Sequence, residues 1–151
     1  MHIYFVETRS EEQKRLLCRW VEHFYEEGRK VQVVTDGTLG AQQLDQLLWT
    51  FSQASFVPHR IVSSPNQPPG REAVAVTAGE VPLEGYHVVV CDGPVSREFL
   101  GRFPLALHFV LLDDAQRREH SRALWQWARE QGHTVRHIPQ GAGVSPLSGP
   151  P

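Results

Sequence analysis

The chain has 151 residues, which is enough for one domain with a sizeable hydrophobic core. Its 15 basic and 17 acidic residues give a formal net charge of −2, which argues against a protein that coats nucleic acid by bulk positive charge. No apolar run approaches the roughly 20 residues of a membrane-spanning helix, and no signal peptide is expected at the amino terminus. We therefore expect one globular domain in a reducing cytoplasm, where both cysteines stay free thiols.

Short apolar strands alternate with amphipathic helices along the chain. Strands are predicted at residues 3–6, 31–35, 73–77, 87–91, 105–112 and 134–138. Helices are predicted at residues 10–27, 38–51, 96–100 and 114–131; in the first of them, Ser10 and Gln13 match a capping box. The alternation favours a three-layer α/β/α domain with a mostly parallel sheet and a Rossmann-like topology over residues 1–139. Residues 140–151 lack periodicity and are expected to form a disordered tail.

The turn between the second strand and the second helix lies where phosphate-binding loops occur. Residues 35–40 read TDGTLG and match neither the Walker motif, with its Gly-Lys-Ser/Thr, nor the GxGxxG motif. A tight turn in which Asp36 or Thr38 caps the helix is therefore favoured. A nucleotide-binding domain or an enzyme that uses the turn at Asp36 to Gly40 remains the alternative.

Other candidate chemistry in the sequence is weak. Cys91 ends a predicted strand, but the sequence places no base beside it. His133 and His137 have the spacing of a helical metal pair, yet they fall in a strand-like run. We expect no catalytic residue, no metal and no cofactor.

Two large aromatic residues, Trp49 and Phe56, lie at the exit of the second predicted helix. Polar residues separate them, and Pro58 and His59 follow. Large apolar side chains exposed at a helix exit often mark a binding site. This segment therefore indicates docking rather than chemistry.

The last predicted helix has a basic face that includes one tryptophan. At 100° per residue, a sector of roughly 60° holds Arg118, Arg122, Trp125 and Arg129. The opposite side, which we expect to face the core, carries His120, Ala123, Leu124 and Trp127. The basic face suits an acidic peptide with an apolar anchor, because guanidinium groups bind carboxylates and an indole packs against apolar side chains. Such a face could also bind single-stranded nucleic acid by stacking of its bases.

These features together resemble the chi subunit of bacterial DNA polymerase III, an accessory of the clamp loader. The specific part is Leu-Asp-x-x-Leu-Trp at residues 44–49, followed by Ser-Phe-Val-Pro-His at residues 55–59. The basic face of the last helix also matches. The resemblance implies a non-catalytic adaptor in the bacterial cytoplasm, which captures the acidic carboxy-terminal tail of the single-stranded DNA-binding protein and links it to the clamp loader.

The resemblance also implies two binding sites. The site for the tail comprises Trp49, Leu111, Arg118, Arg122 and Trp125, with Arg129 on the same helix face. The contact with the psi subunit, or with another clamp-loader component, comprises Phe56, Val57, Pro58 and His59. Direct tight binding of nucleic acid and association with a membrane are not expected.

Overall fold

The computed structural model describes residues 1–52, 56–64 and 72–144. In chain order the elements are β1 (His2–Thr8), α1 (Ser10–Glu26), β2 (Val31–Thr35), α2 (Thr38–Thr50), β3 (His59–Val62), β4 (Val74–Ala78), β5 (Val88–Cys91), α3 (Arg97–Leu100), β6 (Leu105–Leu111), α4 (Ala115–Glu130) and β7 (Thr134–Ile138). The strands form one parallel sheet of seven strands in the order β3-β4-β2-β5-β6-β1-β7. The predicted α/β fold with a mostly parallel sheet is confirmed.

The helices cover both faces of this sheet. Apolar side chains of α1 and α2 pack in one cluster with Leu107 and Leu111 of β6. Those of α3 and α4 pack in a second cluster with Ala106 and Val110. Because successive side chains of a strand point to opposite faces, these neighbouring residues of β6 belong to different layers. The predicted three-layer arrangement is therefore confirmed.

The central strands are apolar along their whole length because both of their faces are covered. Every residue of β2 and β5 is buried. Parallel strands enclosed by helices on both sides typically read as continuous apolar runs rather than as alternating ones. The valine-rich runs at these two strands therefore gave accurate boundaries.

The edge strand β3 was missing from the prediction. It pairs with β4, with His59 opposite Val74 and Val62 opposite Thr77. Its four residues, HRIV, include two polar side chains, so neither an apolar run nor a clear alternation marks them. The segment assigned only to docking thus begins a strand of the sheet.

The predicted capping box of α1 is wrong. Arg9 is the N-cap residue and makes no side-chain hydrogen bond there. The backbone N–H and the hydroxyl of Ser10 both donate to Asp113 Oδ1 at 3.0 Å, and these bonds hold the pKa of Asp113 below its usual value. The buried Gln13 donates instead to the backbone oxygen and to Oδ1 of Asp92, each at 3.3 Å. Both side chains therefore tie α1 to loops at the carboxyl end of the sheet.

The core-facing side of α4 also differs from the prediction. Its buried residues are Ser121, Leu124 and Ala128, whereas His120 and Ala123 are exposed. The buried stripe has helical spacing, but two of its three side chains are small, so it gives a weak hydrophobic signal. Trp127 flanks the stripe, where the Arg97 guanidinium lies 5.3 Å from its ring centre.

The segment after β7 does not match a detached tail in its described part. Ala142 and Val144 pack against the apolar cluster of α1 and α2. The N–H of Ala142 also donates to the Pro139 oxygen at 3.2 Å. Ala142 and Val144 therefore contact the domain, and for residues 145–151, which lie outside the described residues, disorder stays a prediction.

The observed buried face of α4 predicts that the same substitution affects stability differently at two alanines. Ala128→Leu adds volume to a fully buried site, so we expect the free energy of unfolding to fall by about 1–3 kcal/mol. Ala123→Leu adds it to an exposed site and should change that free energy by less than about 0.5 kcal/mol. Urea denaturation of both variants measures the difference, and a larger loss at Ala123 would contradict the observed face.

Candidate functional site

An open groove of about 580 Å³ lies beside α4 at the carboxyl end of three strands, β6, β1 and β7. It is lined by Phe5, Glu7, Val110, Leu112, Arg118, Ser121, Arg122, Trp125, Gln126 and His137. The volume falls within the range of ligand sites in proteins. The lining brings together apolar side chains and two arginines.

The floor of the groove follows from strand register. Phe5 lies opposite His137 of β7, and Glu7 lies opposite Val110 of β6. Since residues two apart on a strand share a face, these positions all point towards the α4 side of the sheet. Leu112 extends the apolar floor just beyond β6.

One wall of the groove is α4, from Arg118 to Gln126. Asp114 caps this helix, because its Oδ1 accepts the Arg117 N–H at 3.0 Å. Arg118 and Arg122 follow one turn apart and are both exposed. Arg122 pairs with Glu119 at 3.7 Å, but both side chains are more than 70% exposed, and such a pair contributes little. The two guanidinium groups are therefore open to an anionic ligand.

Trp125 forms the apolar part of the same wall. Its ring packs edge-on against Phe5, with ring centres 4.9 Å apart and an interplanar angle of 71°. The tryptophan is only partly buried and also lines the groove. A large apolar ring is thus held in a fixed position with one side open to a ligand.

A buried hydrogen bond fixes α4 on the sheet behind this wall. His108 Nε2 lies 2.7 Å from the Ser121 oxygen, and the imidazole also packs against Phe5, with ring centres 5.4 Å apart. Burial lowers the pKa of His108 to about 3, and the charges of His120 and Arg117 add to this effect. The imidazole is therefore neutral near pH 7.

Three of the residues predicted for this site are placed differently by the structure. Leu111 points to the opposite layer, since its neighbours Val110 and Leu112 are the residues that line the groove. Arg129 does not line the groove either, although it lies on the same helix face. Of the predicted set, the structure brings together Arg118, Arg122 and Trp125. Sequence reasoning missed the floor residues, which only strand register could have revealed.

Trp49 is the third residue that the structure places away from the groove. It lies at the end of α2, which packs in the layer opposite α4 and contacts β2, β3 and β4 rather than β6 and β7. Its ring centre is 5.7 Å from that of Phe56 and 4.5 Å from that of His59. Trp49 therefore shares a surface with Phe56 and not with the arginines.

Trp49 and Phe56 form the second candidate surface, which we call the aromatic pair. The two side chains are 50% and 66% exposed, unusually high values for residues of this size. Such an exposed pair is a candidate docking site.

The remaining residues predicted for this contact differ in exposure. Val57 and His59 are buried, and Pro58 is partly buried. His59 Nδ1 lies 2.7 Å from the backbone oxygen of Val57, and its Nε2 lies 3.1 Å from the backbone oxygen of Asp45. The side chains of Val57 and His59 therefore hold the segment in place, and their part in a partner contact stays a prediction.

The turn at Asp36 to Gly40 has features that disfavour a phosphate. A Cβ at Gly93 would overlap the Asp36 carboxylate, which places this acid close to the end of β5. The buried Asp92 lies nearby and pairs with Lys14. Burial raises the pKa of Asp92; Lys14 lowers it, and the charge of Asp36 raises it further.

The predicted side-chain cap of α2 is absent, since the N-cap residue is Gly37.

The other chemical candidates find no support in the described part of the chain. Burial raises the pKa of both Cys18 and Cys91 to about 12, so these thiols are protonated rather than nucleophilic. Among the described residues, no cluster of three or more His, Cys, Asp or Glu side chains could hold a metal ion. His137 instead pairs with Glu7, and His133 packs near Trp127. Within the same residues, no helix is long and apolar enough to span a bilayer.

Comparison with known families decides the classification. The family model described as DNA polymerase III chi subunit, HolC, matches residues 1–136. The chain belongs to this family. No curated protein matches the chain. Membership makes it a chi-like accessory subunit for DNA replication, and the family is part of the clamp-loader complex of the polymerase. In this chi-family protein, the matched residues include the aromatic pair and all of the groove lining except His137.

The neutral His108 predicts a pH dependence of stability. The unfolded chain binds a proton at this histidine below about pH 6.5, whereas the folded chain does so only near pH 3. Its contribution is therefore present above pH 6.5 and is lost as the pH falls, by at most about 1.4 kcal/mol per pH unit. Urea denaturation between pH 7 and 5 gives the slope of the free energy of unfolding against pH. This slope should be smaller for His108→Gln than for wild type. His120→Gln, at an exposed site, is the control; an unchanged slope in His108→Gln would contradict this assignment.

Proposed function

We propose that this chi-family subunit is a non-catalytic adaptor in the bacterial cytoplasm, which captures the acidic carboxy-terminal tail of the single-stranded DNA-binding protein and links it to the clamp loader. The observation that carries the proposal is the groove beside α4, where two open guanidinium groups adjoin an apolar floor. Within the described residues, neither a metal cluster nor an activated thiol competes with this reading.

The chemistry of the groove matches both parts of such a tail. Arg118 and Arg122 would accept the carboxylates, since charge-assisted hydrogen bonds from guanidinium groups are among the stronger polar contacts. An apolar terminal side chain would pack on Trp125, beside Phe5 and Val110. Partly buried tryptophans are common anchors of binding energy. Because the apolar contacts do not depend on ionic strength, binding should be only partly sensitive to salt.

The aromatic pair is proposed as the contact with the psi subunit or with another clamp-loader component. Trp49 and Phe56 lie on the α2 side of the sheet, and the groove lies on the α4 side. Two partners could therefore bind at once without competing for a surface. Occupation of opposite layers is what an adaptor between two proteins requires.

Direct tight binding of nucleic acid is not part of this proposal. The chain has a net charge of −2, and the Glu7 carboxylate lines the same groove as the arginines. A phosphate backbone needs a more continuous positive surface.

The first experiment measures the affinity of the groove for a short Asp-rich peptide that ends in Phe. We expect Arg122→Ala to weaken binding by about tenfold or more, because it removes a charge-assisted contact. Arg129→Ala removes the same charge about two turns further along α4, outside the groove lining, and should change the affinity by less than about threefold. Calorimetric titration gives both values. Absence of binding, or equal losses in the two variants, would refute the tail site.

The second experiment separates the two surfaces. Trp49→Ala and Phe56→Ala should each reduce capture of psi or of the clamp-loader complex in a pull-down, because they remove exposed apolar contact area. The peptide affinity of both variants should stay at the wild-type value. Arg122→Ala should show the reverse pattern. Loss of peptide affinity in Trp49→Ala would return Trp49 to the tail site and contradict the separation.

A further inference from the structure

The floor of the groove carries a carboxylate–imidazole pair that the tail site does not explain. Glu7 Oε2 lies 3.2 Å from His137 Nε2, and both residues line the groove. Their side chains are 27% and 51% exposed. A pair this accessible contributes little to folding stability. Because both side chains are exposed in the groove, a ligand there can contact them.

A carboxylate in this position opposes the binding of an acidic ligand. Glu7 shares the groove with Arg118 and Arg122 and cancels part of their attraction for carboxylates. The paired imidazole determines how much of this opposition a ligand meets. When His137 is neutral, the Glu7–His137 pair has a charge of −1. When His137 is protonated, the pair has no net charge, since an imidazolium offsets the carboxylate.

We propose that Glu7 and His137 form a charge-sensitive specificity element of the groove, which weakens the binding of acidic peptides when His137 is neutral and releases this restraint when it is protonated. The inference rests on the proposed function of the groove. It adds a regulation by pH to that site and names two residues on the sheet, rather than on α4, that set the affinity.

The other side chains that line the groove beside this pair are arginines or uncharged groups. Arg118 and Arg122 on α4 remain cationic, and Gln126 and Ser121 carry no charge. Beneath Phe5, His108 stays neutral because burial lowers its pKa to about 3. On β6 and just beyond it, the facing residues are Val110 and Leu112. A change of affinity with pH that His137→Gln abolishes and His120→Gln keeps therefore reports His137.

The test is the dissociation constant of the Asp-rich, Phe-ended peptide at pH 8 and pH 6 in low salt. For the wild type we expect binding to tighten by about two- to fivefold at pH 6, the effect of one charge at a solvated site. His137→Gln should lose this gain, and His120→Gln should keep it. Glu7→Gln should bind about two- to fivefold tighter than wild type at pH 8, where its charge is least compensated.

The outcomes separate this inference from the tail site itself. Weakening by Arg122→Ala, together with an unchanged affinity in Glu7→Gln at pH 8, would overturn only the role of the pair. A pH gain that persists in His137→Gln would do the same. Lack of any binding by the wild type would overturn the proposed function and this inference with it. Thermal melts of each variant check that the fold is retained, and the shorter Glu7→Asp, which keeps the charge, should not tighten binding at pH 8.

Discussion

The docking of α4 on the sheet is the constraint on which the groove depends. Ser121, Leu124 and Ala128 bury one stripe of the helix, and the hydrogen bond between Ser121 and the neutral His108 fixes its position on β6. Small side chains at two of these three positions let the helix lie close to the strands. Trp125 then meets Phe5 edge-on, and the arginines of the same helix face the open end of the floor.

The same sheet separates the two proposed contacts. Each strand sends alternate side chains to the α1–α2 layer and to the α3–α4 layer, so a ligand on one side does not reach the other. The groove uses the strands β6, β1 and β7, whereas the aromatic pair belongs to α2 near β3 and β4. The proposed contacts use surfaces on a rigid scaffold rather than the turns that follow β2 and β5, where Asp36 and Asp92 leave an acidic environment.

The sequence predicted the class of fold and the α4 side of the site, and the reasons are local. Continuous valine runs identify β2 and β5, and arginines at helical spacing identify the wall of the groove. Leu111 was misassigned because a shift of one residue on a strand reverses its face, which spacing alone does not reveal. Trp49 was placed with the arginines because periodicity says nothing about which layer a helix joins. Ser10 and Gln13 satisfy a local capping pattern, yet longer-range partners at Asp113 and Asp92 take their hydrogen bonds.

The central claim is that the acidic tail binds on the α4 side of the sheet. The most direct measurement is the tryptophan indole region of a nitrogen–proton correlation spectrum, recorded while the Asp-rich, Phe-ended peptide is added. The four indole signals can be assigned by substitution of each tryptophan. The account predicts a large shift for Trp125 and none for Trp49. A shift of Trp49 with an unchanged Trp125 would contradict it.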